Sequence, residues 1–377
     1  MSGQGSEAWE GYTPELIALL AGSCPQLRSL EHWAPYYSGR CISEVHSASL
    51  GHLSQLTSLT LGLGLDATNV EIESMLQGLP SLLHLGLYCH VDGTVKISDA
   101  ILSGRALERL TIWHNYMEYM ELALGKLTSL TRLALYACGL RNLSDTISLL
   151  TGSREIDLLE DNHCNLPAGL AACTNLTSLV MGSGSGMSVL TKLESLRSLS
   201  FKPRNVTYFA QEKWTPLTGL TQLCMGMRLY TACPEITGMP CLRMLVLSDC
   251  HLSDLPSGAY LSRLTSLRMF DCIFNSGVPA ALTNAPQLRV LHLLCRYQES
   301  GIMLSDSDLI ILSSLPVLEI LLLEKPHERS QHEWDDRVAL LMRQYTALGH
   351  AQPIFLSDPE IGRNKNLFML NIRFSSV

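Results

Sequence analysis

Residues 242–275 read LRMLVLSDCHLSDLPSGAYLSRLTSLRMFDCIFN. Leu242, Leu245 and Leu247 follow the spacing L-x-x-L-x-L, Cys250 and Leu252 come next, and a second run opens at Leu267. Apolar residues alternating over so short a run mark a strand with one face buried. One such strand cannot bury its own leucines, whereas a stack of them can, each strand covering the next.

The spacing recurs along the chain. First positions fall at Leu27, Leu56, Leu82, Leu107, Leu130, Ser153, Leu176, Leu196, Leu220, Leu242, Leu267, Leu288, Leu318 and Leu367, 20 to 30 residues apart except for a last gap of 49. The repeat at Ser153 is degenerate and keeps only Ile156 and Leu158. A period in this range is the mark of a solenoid, which lengthens without enlarging a central core. The array resembles the leucine-rich repeat family over nearly the whole chain. That resemblance implies an α/β solenoid, a horseshoe with a parallel inner β-sheet and outer short helices, 3₁₀ turns or loops.

Eight residues into each repeat the family favours Asn or Cys, whose side chain can bond the backbone of the turn. Asn115, Cys138, Cys250 and Asn275 fit, while Gly64, His90, Arg204 and Arg228 depart. Pro167, Pro256 and Pro279 follow apolar residues and suit the first turn of an outer helix. The Gly-rich stretch after Leu176, with GSGSG at 182–186, is expected to form an outer loop.

Three segments follow. Residues 1–26 read as an N-terminal capping helix or partial repeat, with Thr13 as N-cap, Pro14 in the first turn, and Leu16, Leu19 and Leu20 on one face. The wording LLAGSCPQLRSL resembles the repeats of plant and algal F-box proteins, although too few residues precede it for an F-box. Residues 27–324 form the array. Residues 325–377 are expected to hold an inserted helix carrying Val338, Leu341, Met342, Tyr345 and Leu348, then a final strand or cap at LFMLNI. The preceding EKPHERSQHEWDD reads as a solvated charged loop, since His327, His332, Glu333, Asp335 and Asp336 match no zinc spacing.

A net charge of -8 argues against nucleic acid or an anionic membrane as partner. No apolar run is long enough for a membrane span. The polar, acidic start lacks a secretory pattern, which predicts a cytoplasmic protein. The 12 cysteines include no Cys-x-x-Cys pair and read as reduced core thiols, with Cys272 standing in for a core leucine. No phosphate-binding loop, nucleophile elbow or metalloprotease motif is present, so neither catalysis nor a cofactor or metal is expected.

What remains is a surface. The spacers of the repeats face the concave side. They include His84, Tyr88, Trp113, His114, Arg132 and Tyr136 in the third to fifth repeats, and Glu155 and Asp157 in the sixth. Later come Met244, Val246, Met269, Asp271, Ile273, Phe274, Val290, Leu294, Ile320 and Leu322. Aromatics and Arg on a rigid surface suit protein recognition, adjacent acids select a basic segment, and a contiguous apolar run calls for a cover. The expectation is a non-enzymatic scaffold binding another protein on its concave face. By resemblance alone, a subunit associated with a ubiquitin ligase and a cytoskeletal or axonemal component are the alternatives.

Overall fold

The computed structural model describes residues 19, 22–24, 26–32, 50, 53–63, 76–89, 106–114, 126–136, 138, 143–158, 165–182, 186–201, 217–226, 234–248, 250–252, 254–270, 272–274, 277–294, 304–323 and 331–356. The chain forms two compact units, Met1–Ser195 and Leu196–Val377. Most of the expected N-terminal capping helix, including Thr13, Pro14, Leu16 and Leu20, lies outside the described residues, as do Asn115, Asn275 and LFMLNI.

The first unit stacks seven parallel strands in chain order: β1 (Ser29–His32), β2 (Ser58–Leu63), β3 (His84–Cys89), β4 (Arg109–His114), β5 (Arg132–Tyr136), β6 (Glu155–Leu158) and β7 (Ser178–Met181). Their register aligns Leu30, Leu59, Leu85, Leu110, Leu133, Ile156 and Leu179, the fourth position of each repeat. All seven are buried. Burying each such side chain stabilises by roughly 1.5–3 kcal/mol, which no strand could gain alone.

The second position of the repeat has its own chemistry. In five rungs it is Thr, whose Oγ1 donates at 2.9–3.0 Å to a backbone carbonyl one rung earlier: Thr57 to Arg28, Thr131 to Glu108, Thr177 to Arg154, Thr221 to Arg197 and Thr265 to Arg243. The degenerate rung is held in the same way. Ser153, fully buried where Leu is usual, donates to the Leu130 carbonyl at 2.9 Å, so its hydroxyl costs little.

Short 3₁₀ turns connect the rungs, at Asp145–Leu149, Ala168–Ala172 and Met187–Lys192 in this unit. The last replaces the outer loop expected of the Gly-rich stretch. Gly186 takes a left-handed φ of 91°, its carbonyl accepts from Val189 N–H, and Val189 and Leu190 drop into the core.

The second unit stacks β8 (Ser198–Phe201), β9 (Gln222–Gly226), β10 (Met244–Ser248), β12 (Ser266–Phe270), β14 (Val290–Leu294), β15 (Ile320–Leu323) and β16 (Ile354–Leu356), all parallel. A two-stranded ribbon, β11 (His251–Leu252) with β13 (Ile273–Phe274), pairs separately.

The register corrects the reading of the opening stretch. Leu267 pairs with Leu245, so it is the fourth position of its repeat, and Leu264 is the first. Cys272 therefore stands at the turn-ladder position. Its Sγ donates to the Leu247 and Phe270 carbonyls at 3.6 and 3.4 Å, as Cys138 does to Ile112 and Tyr136 at 3.8 and 3.5 Å.

Two helices follow: α1 (Asp306–Ser313) and α2 (Gln331–Ala347). Helix α2 begins inside the segment expected to be a charged loop, because Trp334 lies one heptad before Leu341 and is buried with Leu341 and Tyr345. Tyr345 donates to the Leu312 carbonyl of α1 at 2.5 Å, and Arg337 pairs with Asp306. Asp308 is buried at the start of α1, where its carboxylate accepts from Val278 N–H at 2.7 Å and Ser305 N–H at 2.8 Å. The rung after α2 is β16, which pairs with β15 through Phe355 and Leu321. Among the described residues, no helix is long and apolar enough to cross a membrane.

Candidate functional site

Successive residues of a strand point to opposite faces. With the leucines committed to the core, β3, β4, β5 and β6 present three rows on the other face. The register aligns His84, Arg109, Arg132 and Glu155 in the first row. It aligns Gly86, Thr111, Ala134 and Asp157 in the second. Tyr88, Trp113 and Tyr136 make the third. A basic rim and an aromatic rim thus flank a line of small side chains that ends at an acid.

The aromatic rim is continuous. Tyr88 and Trp113 stack with centroids 6.1 Å apart and planes at 29°, and Trp113 meets Tyr136 at 5.4 Å and 55°. These separations are ordinary for attractive ring pairs. Tyr88 and Trp113 are half-buried and keep accessible surface. Tyr136 and Asp157 do not form the open strip expected of them: they are 3% and 8% exposed. The Tyr136 hydroxyl donates to Asp157 Oδ2 at 2.7 Å, closing that end of the face.

On the basic rim Arg132 Nε lies 3.2 Å from Glu155 Oε2, and His84 Nε2 lies 4.0 Å from Glu108 Oε2. Burial first, then the Arg109 charge, lower the pKa of His84, while Glu108 opposes them. Arg109 is exposed between His84 and Arg132, and among the described residues no carboxylate pairs with it. Sequence reasoning missed Arg109. The third position of the same repeat that supplied Trp113 was the signal that could have found it. His114 ends β4, and its side chain lies outside the described residues.

The corresponding face of the second unit differs. Its central row is Cys224, Val246, Arg268, His292, Leu322 and Leu356 in register. Val246 and Leu322 are each 1% exposed, so the spacers expected to form a bare apolar run are closed here. His292 is buried, and burial, then the charge of Arg268, push its pKa down to about 4. Met244, Val290 and Ile320 are half-buried and Leu294 is buried. Met269 is fully buried on the opposite, core side, because the corrected register makes it the sixth position of its repeat. Ile273 lies in the side ribbon, not in the main sheet, and Asp271 lies outside the described residues.

His332, Glu333, Asp335 and Asp336 lie on α2, and among the described residues no three metal-binding side chains group together. The thiols of Cys138, Cys173, Cys250 and Cys272 are buried and unbridged, and burial raises the pKa of Cys173 to about 11.

No protein-family model and no curated protein sequence matches this chain. Solved structures do. An internalin of Listeria monocytogenes matches with a TM-score of 0.50 at 17% identity, over 85% of this chain and 87% of that one. A leucine-rich repeat protein of Leptospira interrogans matches with a TM-score of 0.37 at 16% identity, over 87% and 97%. The Toll–Spätzle complex of Drosophila matches with a TM-score of 0.48 at 17% identity, over 76% and 41%. Parallel register, buried leucine ladder and the internalin match together make the fold an α/β leucine-rich repeat solenoid.

Proposed function

We propose that the protein is a non-enzymatic scaffold that binds another protein on the strand face of its first unit. The observation behind this is the half-open aromatic rim of Tyr88 and Trp113 beside an exposed Arg109 that no carboxylate among the described residues pairs. Aromatic and Arg side chains held on a rigid surface are the groups that dominate interface energies. The fold itself does not carry the reading, since one scaffold hosts many functions. A cytoplasmic setting, a ligase-associated role and an axonemal role have only the sequence behind them. So does the plant or algal F-box type. The face supports the broader reading.

The test is site-specific photocrosslinking in cells, with the probe at Thr111 between the rims or at exposed Ser262 in an outer 3₁₀ turn. A discrete protein adduct at 111 and none at 262 is expected. Equal adducts at both sites, or none at 111, would remove this face from consideration.

A further inference from the structure

The two rims and the line between them specify the chemistry of an occupant. This inference rests on the binding role given to the face and names the segment bound. Both rims run across the strands, along the stack, because each contributes one residue per rung. Within a strand the rims stand four residues apart, about 13 Å along the backbone, and neighbouring rungs are about 4.8 Å apart. Between them stand Gly86, Thr111 and Ala134, which raise no long side chain. At Gly86 the space that a Cβ would need is already taken by the Thr60 side chain, whose Oγ1 would lie 3.0 Å from it, so the line is a closed floor in which Gly86 and Ala134 are buried and Thr111 is half-buried.

A main chain laid along that line would have one rim on either side. An extended chain sends successive side chains to opposite sides. Alternate residues therefore meet guanidinium groups, and the residues between them meet the rings of Tyr88 and Trp113. Four rungs span roughly 14 Å, the length of about four extended residues.

Charge decides what the basic side accepts. Arg132 already holds Glu155, and burial first, then the Arg109 charge, lower the pKa of His84. Among the described residues no carboxylate pairs with Arg109, and a guanidinium pairs carboxylates in a planar, bidentate fashion. At the far end Asp157 would repel an acid but not a neutral or basic residue.

We infer that the face between these rims takes an extended peptide of about four residues in which acidic and apolar side chains alternate, one carboxylate pairing with Arg109 and one apolar side chain lying on Tyr88 and Trp113.

The test is display selection. A library of random linear heptapeptides is panned against the full chain and, in parallel, against Arg109→Glu and Trp113→Ala. Recovered peptides are resynthesised and titrated by fluorescence anisotropy. Alternating acidic and apolar sequences should be enriched, and Arg109→Glu should weaken them at least tenfold with an unchanged melting curve. Block-ordered peptides of the same composition should also bind at least tenfold more weakly. If Trp113→Ala disturbs folding, Trp113→Phe is to retain binding within a fewfold while Arg109→Glu still abolishes it. Recovery of basic or non-alternating peptides, indifference to Arg109→Glu, or no enrichment would overturn the inference. A crosslinked protein at position 111 together with any of those results would leave the face as a binding site and reject only this ligand chemistry.

Discussion

The two units use one repeat and one register rule, yet the rows that flank the centre of their strand faces differ. In the first unit the rows carry Arg109, Arg132, Glu155, Tyr88 and Trp113, with charge and ring surface left in solvent. The central rows are alike, Ala134 and Asp157 being as withdrawn from water as Val246, His292 and Leu322, but beside its central row the second unit carries half-buried apolar Met244, Val290 and Ile320 where the first carries charge. The leucines are equivalent in both, so the spacers alone make the difference. A row of long charged and aromatic groups remains available to a partner, whereas a row of compact apolar groups is consumed as core.

That contrast can be broken most directly with matched charges. Leu322→Asp places a carboxylate where 1% of the side chain is exposed, and should cost about 3–5 kcal/mol in urea unfolding. Arg109→Asp, on an exposed position, should change stability by no more than ~0.5 kcal/mol. Similar losses at both sites would erase the distinction between a closed row and an open one.

Titration provides the next largest effect. His292 in the folded chain resists protonation until about pH 4, while the unfolded chain takes up that proton near its ordinary value of 6.5. The unfolded state then binds more protons across that window, so stability falls as pH drops from about 6.5 towards 4, by about 3 kcal/mol. Above pH 6.5 the group contributes no slope. Urea unfolding of the wild-type chain and of His292→Gln at pH 7.5 and 4.5 measures it, and the variant should lose most of the difference. His84, lowered in the same direction but partly exposed, should show a much shallower slope in His84→Gln.

A smaller change probes the closed end of the first face. Tyr136→Phe removes the phenol that donates to Asp157, leaving a buried carboxylate short of one hydrogen bond. A loss of about 1–3 kcal/mol is expected in thermal or urea unfolding. A neutral result would mean that Asp157 is held without Tyr136, and that this end of the face opens more readily than its geometry suggests.

The leucine ladder was legible because burial imposes a period. Thirteen of the fourteen expected first positions fall before residue 320, and all but one of these keep their register in the strands that follow them. The exception was Leu267. LTSLRMF and LRMFDC both satisfy a loose apolar spacing, and only pairing with β10 chooses between them. That three-residue slip turned Met269 into a spacer and Cys272 into a core leucine. The rung at β16 was hidden for a related reason: QPIFL has no leucine at its fourth position and uses Phe355 there. Identity of the spacers was readable, but exposure was not. Tyr136 and Trp113 occupy the same row, and the hydrogen bond to Asp157 on the next rung goes with burial of the first while the second stays half-open.

The smallest expected effect separates stability from recognition on the first face. Arg132 and Glu155 form an ion pair at 3.2 Å, with side chains 42% and 48% exposed. Water screens a pair so placed, and ordering two long side chains offsets much of the attraction, so a double-mutant cycle of Arg132→Ala and Glu155→Ala should give a coupling of about 0.2–1 kcal/mol. Doubling the salt concentration should shrink it further. The pair's consequence lies elsewhere: with Glu155 held by Arg132, Arg109 is the cation of this rim that no carboxylate among the described residues pairs. Glu155→Ala should therefore barely alter unfolding, yet strengthen binding of the acidic peptides severalfold by releasing Arg132. Coupling well above 2 kcal/mol would mean instead that this face, like its counterpart in the second unit, is held together mainly for its own stability.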